Sequence, residues 1–194
     1  RQGLLNEWLL NFARWLDSFA WSTAIHESFY LYAWIESTHV IAIMIFLGML
    51  FIIDLRILGL SFAQVPAAKI AQRLDKPMMI GFTVMVITGL LLFFAIPVRS
   101  TQSIWFRIKV VLLIAAGINA FLFRNKMKGI REDGREEAEP SKRLRIGAAT
   151  SLFLWMGVVM TGRAIAYDWF DCHKDLSYAM YWIAGCVDEM ALVE

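Results

Sequence analysis

Histidine, cysteine and proline are scarce in this 194-residue chain, at three, two and four residues. There is no Cys-x-x-Cys-His run, which excludes covalently attached haem. There is no Met-x-x-Met or His-rich run either, so the ten methionines form no relay for soft metal ions and read as packing residues. Charged side chains make up only 19% of the chain and leave a formal net charge of +2, so no basic surface for nucleic acid is implied. No internal repeat and no secretory signal peptide are visible. Residue 1 is arginine and not methionine, so the start of synthesis is expected upstream.

What the chain has instead is apolar surface. It is 59% hydrophobic with a mean hydropathy of +0.56, values of an integral membrane protein. A spanning helix needs roughly 20 mostly apolar residues. Such windows occur at about 32–53, 78–96, 104–123 and 147–167. The expected fold is therefore an all-α, four-helix up-and-down transmembrane bundle over 31–167. Basic residues cluster after the first window (Arg56, Lys69, Arg73, Lys76) and between the third and fourth (Arg124, Lys126, Lys128, Arg131, Arg135, Lys142, Arg143, Arg145). The positive-inside rule puts both clusters in the cytoplasm and both termini outside.

The flanks read differently. In 1–30, Leu4, Leu5, Trp8, Leu9, Phe12, Trp15, Leu16 and Phe19 recur at helical spacing, interrupted by polar residues. That pattern predicts an amphipathic helix lying along the outer interface. Residues 124–146 read as a solvated loop, and Ala67–Asp75, between Pro66 and Pro77, as a short helix. In the outside tail, 168–194, Ser177–Leu192 reads as a second interfacial helix. Cys172 and Cys186 can pair there, a link worth about 3 kcal/mol in the chain-entropy model. The alternative is a metal site from Cys172, His173 and Cys186, but that spacing matches no standard ligand set.

Three ionisable residues interrupt the spans. Each lies roughly 6–8 Å below the outer hydrocarbon surface, counted at the helical rise. They are His39 in the first span, Lys109 in the third and Arg163 in the fourth. Glu36 lies one turn above His39, and Thr88 of the second span is somewhat deeper. Leu113, Ala116, Gly117 and Ala120 share the face of Lys109, and Gly81 shares that of Thr88. Small residues at this spacing predict close helix contact and turn Lys109 toward neighbours. Ionisable groups within spans are expensive and mark functional sites by default. The structural alternatives are snorkelling of Lys109 and Arg163 to the interface, a local ion pair with Glu36, and a neutral His39 bonded to a neighbouring helix. The functional alternative makes neutral His39 an iron ligand. With only one intramembrane histidine, bis-His ligation is disfavoured.

Several motifs resemble an uncharacterised bacterial family of small four-helix membrane proteins over about 36–167. They are Glu36-Ser-Thr-His39 with Gly48 and Asp54-Leu-Arg56-Ile-Leu-Gly59, Gly81-Phe with Thr88-Gly89, Phe106-x-x-Lys109, Ala116-Gly117-x-Asn119 and Gly162-Arg163-x-Ile-Ala-Tyr167. The pattern is similar, more distantly, to the copper-resistance protein D family and to J-type protoporphyrinogen oxidases. The latter resemblance implies a porphyrin-sized pocket, with His39 and Lys109 at the positions of a haem-binding His and Lys. The oxidase pattern after the His is missing, which sets the pocket above the oxidase activity. The first expectation is thus a haem-b-binding redox protein. His39 is the metal ligand, Lys109 the second ligand or propionate partner, and Arg163 a propionate or quinone-headgroup partner, with electrons exchanged with a periplasmic or membrane protein. The second is a cofactor-free anchor or assembly subunit, and the third a protoporphyrinogen-oxidase-like enzyme.

Overall fold

The structure, a computed structural model, describes residues 4–62, 64–132, 139–167, 172, 177–184 and 186. The described residues are all-helical in eight elements: α1 (Leu4–Asp17), α2 (Ala20–Glu27), α3 (Phe29–Leu58), α4 (Ala67–Ala95), α5 (Pro97–Thr101), α6 (Ile104–Glu132), α7 (Lys142–Ala166) and α8 (Tyr178–Ala184). α3, α4, α6 and α7 are long and apolar enough to cross a membrane. The protein is a multi-pass membrane protein, and the four apolar windows fall on those helices.

The helices start and stop for local reasons. Ser28 caps α3, its hydroxyl accepting the Leu31 amide, and Ser141 does the same for Leu144 at the start of α7. α3 ends at Gly59, whose φ of +80° is open to a residue without Cβ. There the Leu60 amide reaches the Leu55 carbonyl and the Gly59 amide that of Arg56, a Schellman closure.

Three expectations change. The segment 124–146 is not one loop, since α6 continues to Glu132 and α7 begins at Lys142. Lys, Arg and Met are good helix formers, and a helix need not end where its apolar window does. Pro77 does not end a short helix but sits inside α4. Proline removes one backbone donor, and a long helix tolerates that loss where neighbours support it. The tail helix is limited to Tyr178–Ala184; Cys186 lies beyond it, and 185 and 187–192 are outside the described residues.

The chain forms two compact units: 1–36 with 89–111 and 159–194, and 37–88 with 112–158. In the first, α1 buries Leu10, Ala13 and Leu16 and packs on α5. Its opposite face carries a ladder of rings, Trp8 on Phe12 at 5.8 Å and Phe12 on Trp15 at 5.8 Å. Those rings are exposed, as an interfacial helix requires. The amphipathic segment is not continuous, because the chain breaks at Ser18–Phe19 before α2. Buried Ser22 of α2 donates its hydroxyl to the Phe94 carbonyl at 2.6 Å. Cys172 and Cys186 are joined in a disulfide, the pairing that the sequence left open; His173 lies outside the described residues.

In the second unit, one core joins Ala42 and Phe46 of α3, Met85 of α4, Ala116 of α6 and Trp155 and Val158 of α7. Phe46 meets Trp155 edge-on at 4.9 Å and Phe82 at 5.4 Å. Gly81 lets α4 approach α3 closely: a Cβ there would lie 3.5 Å from the Phe46 amide nitrogen. A second cluster holds Ile53 and Ile57 of α3 with Ala67, Leu144 and Ala148.

Candidate functional site

His39 and Thr88 meet in the second unit, with Nδ1 2.8 Å from the threonine oxygen. The direction of this bond follows from counting protons. Thr88 has one hydroxyl hydrogen, and its oxygen lies 2.7 Å from the Val84 carbonyl and 3.2 Å from that of Met85. Both carbonyls can only accept, so the hydroxyl proton is committed to its own helix. The oxygen then accepts from His39, and a neutral imidazole must carry its proton on Nδ1. Nε2 holds the ring's basic lone pair. Fixing one ring nitrogen so that the other presents a lone pair is how proteins orient a histidine ligand. Thr88 is buried and His39 half-buried.

Lys109, Arg163 and Glu36 belong to the first unit. The Lys109 ammonium lies against Gly162: a Cβ there would stand 3.4 Å from Nζ. The Gly-Arg pair of α7 therefore leaves room for a lysine head beside its backbone. Arg163 is exposed, and its guanidinium donates to the Tyr167 hydroxyl at 2.9 Å and covers that ring at 5.0 Å. This is an i, i+4 contact along its own helix, directed to the helix end. Glu36 is exposed. So the structure brings His39 to Thr88 and Lys109 to the backbone preceding Arg163. His26 is exposed, as a plain surface histidine would be.

Arg107 escaped the sequence reading, which counted one cation in the third span. It donates through Nε to the Thr101 carbonyl at 3.2 Å, and through one terminal nitrogen to Asn6 Oδ1 at 3.0 Å and the Ile183 carbonyl at 3.1 Å. It thereby ties α1, the end of α5 and α8 to the start of α6. A second cation two residues before Lys109 was the available signal. Asp54 is the other surprise. It lies in α3, only 2% exposed, and receives a hydrogen bond from Ser151 of α7.

The small-residue stripe of α6 behaves unlike that of α4. Ala116 is packed at 1% exposure, but a Cβ at Gly117 would meet nothing within 4 Å. The close contact expected there does not form. Gly117, Leu113 and Ala120 line a cavity of about 670 Å³ within the second unit.

Among the described residues, no three His, Cys, Asp or Glu side chains gather in a metal-binding group. The profile of a family of unknown function, DUF6644, matches residues 19–168. No curated protein and no solved structure matches the chain.

Proposed function

The chain belongs to the DUF6644 family, whose function is unknown, and from that premise we propose that it binds haem b in the bacterial inner membrane and passes electrons to an outside partner. One observation carries this reading. His39, within a span, has Nδ1 committed to Thr88 and its basic lone pair on Nε2. That is the donor set an axial haem ligand needs. On the sequence reading alone, Lys109 and Arg163 are cations of the kind that pair with propionate carboxylates or, at Arg163, with a quinone headgroup. Bound haem would contribute one-electron iron chemistry; the chain's own part is to hold the imidazole in one tautomer and to offset anionic groups within the apolar layer. The basic segments around Arg56–Lys76 and Arg124–Arg145 support an orientation with both termini outside.

The test is an absorption spectrum of detergent-purified protein, reduced minus oxidised. A Soret band lost in His39→Ala and retained in His26→Ala is the expected result. Colourless protein with an iron-to-protein ratio near zero refutes the reading.

A second reading, a cofactor-free anchor or assembly subunit, is favoured by a different observation. α1, α5 and α8 are tied together through Arg107, and Trp8, Trp15 and Trp182 remain exposed. Such aromatic surface suits either the membrane interface or a protein partner. Colourless protein that co-purifies with a stable partner would select it.

A further inference from the structure

The cavity of the second unit contains a feature that neither reading uses. Its walls are mostly apolar and aromatic, including Phe46, Phe82, Met85 and Trp155. At about 670 Å³ it is in the range of small-molecule sites, which pair an apolar lining with a few convergent polar groups. Of the polar residues that line it, Asp54 and Ser151 are the buried ones; Gln72, Asn119, Asn125, Lys128 and the Asp75–Arg124 ion pair line its half-buried or exposed part. Ser151 donates to the Asp54 carboxyl, while Asp54 Oδ2, itself buried, has no hydrogen-bond partner among the described residues. A buried carboxyl oxygen left unpaired is costly, so it is a feature to be explained. Rotation about the soft Cβ–Cγ torsion turns a carboxyl oxygen to whatever occupies the cavity.

We propose that this cavity binds a lipophilic amine, an apolar body of drug size with one protonated nitrogen that pairs with Asp54. Two arguments select that class. The carboxyl accepts from Ser151 and has a second oxygen without a partner, which a pure hydrocarbon cannot satisfy. An ammonium supplies the donor and the opposite charge together, whereas a neutral hydroxyl supplies only the first. The rings of Phe46, Phe82 and Trp155 add apolar contact and a surface that cations favour. Access is through the apolar flank, since the lining residues Val86 of α4 and Phe121 of α6 are exposed on helices that span the membrane. That flank gives a ligand dissolved in the bilayer a way in. This site is separate from His39 and does not depend on haem.

The experiment uses the full chain in lipid nanodiscs with two pyrene probes, 1-aminomethylpyrene and 1-methylpyrene. Binding is read as the saturable part of tryptophan-to-pyrene energy transfer. The wild type should bind the amine roughly 10- to 100-fold more tightly than the hydrocarbon. Asp54→Asn should abolish that preference and leave hydrocarbon binding unchanged. Gly117→Phe, which places a ring in open space, should weaken both probes while keeping the carboxyl. Equal affinities in the wild type would mean a groove for acyl chains only and would overturn the proposal. So would a preference that survives Asp54→Asn, or binding untouched by Gly117→Phe. If Asp54→Asn yields no folded protein, the wild-type preference and the weakening of both probes in Gly117→Phe decide the question together.

Discussion

Replacing Thr88 with valine removes one acceptor and keeps nearly the same side-chain shape. In the wild type the Thr88 oxygen accepts from His39 Nδ1 at 2.8 Å while its proton goes to the Val84 carbonyl at 2.7 Å. The tautomer of His39 is thus set by a hydroxyl on another helix. Stranding a buried donor costs about 1–3 kcal/mol, and His39 is only half-buried, so about 1–2 kcal/mol applies. That energy corresponds to a roughly 5- to 30-fold fall in the ratio of Nδ1–H to Nε2–H imidazole. The assay is nitrogen NMR of ¹⁵N-histidine-labelled protein at about pH 8.5, well above the ordinary imidazole value. There are three histidines, and the His39 signals are identified by their loss in His39→Gln. The wild type should show the proton on Nδ1, Thr88→Val should move it toward Nε2, and Thr88→Ser should restore it. A wild-type proton on Nε2, or a ratio unmoved by Thr88→Val, would refute the proton count.

Arg107→Met keeps the aliphatic stem but deletes the donors to Thr101, Asn6 and Ile183. It should loosen the cluster by about 2–3 kcal/mol, seen as faster amide exchange in α1 and α8 with little change around Phe46 and Trp155. The two glycines of α6 and α7 should respond differently to alanine. Gly117→Ala enters open space and should stabilise by up to about 1 kcal/mol through helix propensity. At Gly157 the new Cβ would lie 3.0 Å from Leu112 Cδ1, so the leucine must shift and the gain should vanish; midpoints of unfolding in dodecyl sulfate compare the two. Reducing the Cys172–Cys186 disulfide removes a cross-link spanning 14 residues. It should make α8 accessible to protease, the link being worth about 3 kcal/mol, while the four spans stay protected.

Much of the architecture could be read from composition and period. A run of apolar residues long enough to cross hydrocarbon has one local solution, a helix that satisfies its own backbone. The windows around His39, Thr88, Lys109 and Arg163 were therefore legible before any coordinates. The amphipathic start of the chain was legible too, because Trp8, Phe12 and Trp15 recur at helical spacing. The break before α2 was not, and neither was the contact that α2 makes through Ser22 with the Phe94 carbonyl 72 residues away.

Single positions were harder. Gly81 and Gly117 looked alike, each a small residue one or two turns from a polar side chain. One lies against the Phe46 backbone and the other opens on a cavity. Spacing along one helix says which residues share a face, but not how far the next helix stands from it. That distance is set by side chains elsewhere, here the Phe46, Phe82 and Trp155 rings. The same reason hid Asp54, an acidic residue near a helix end that reads as solvated until the packed helices bury it and Ser151 of α7 meets it. Helices and their apolar faces follow from neighbours a few residues away in the chain. Which polar groups are sealed in, which meet a partner and where space is left over follow from contacts between helices, and those exist only once the chain has folded.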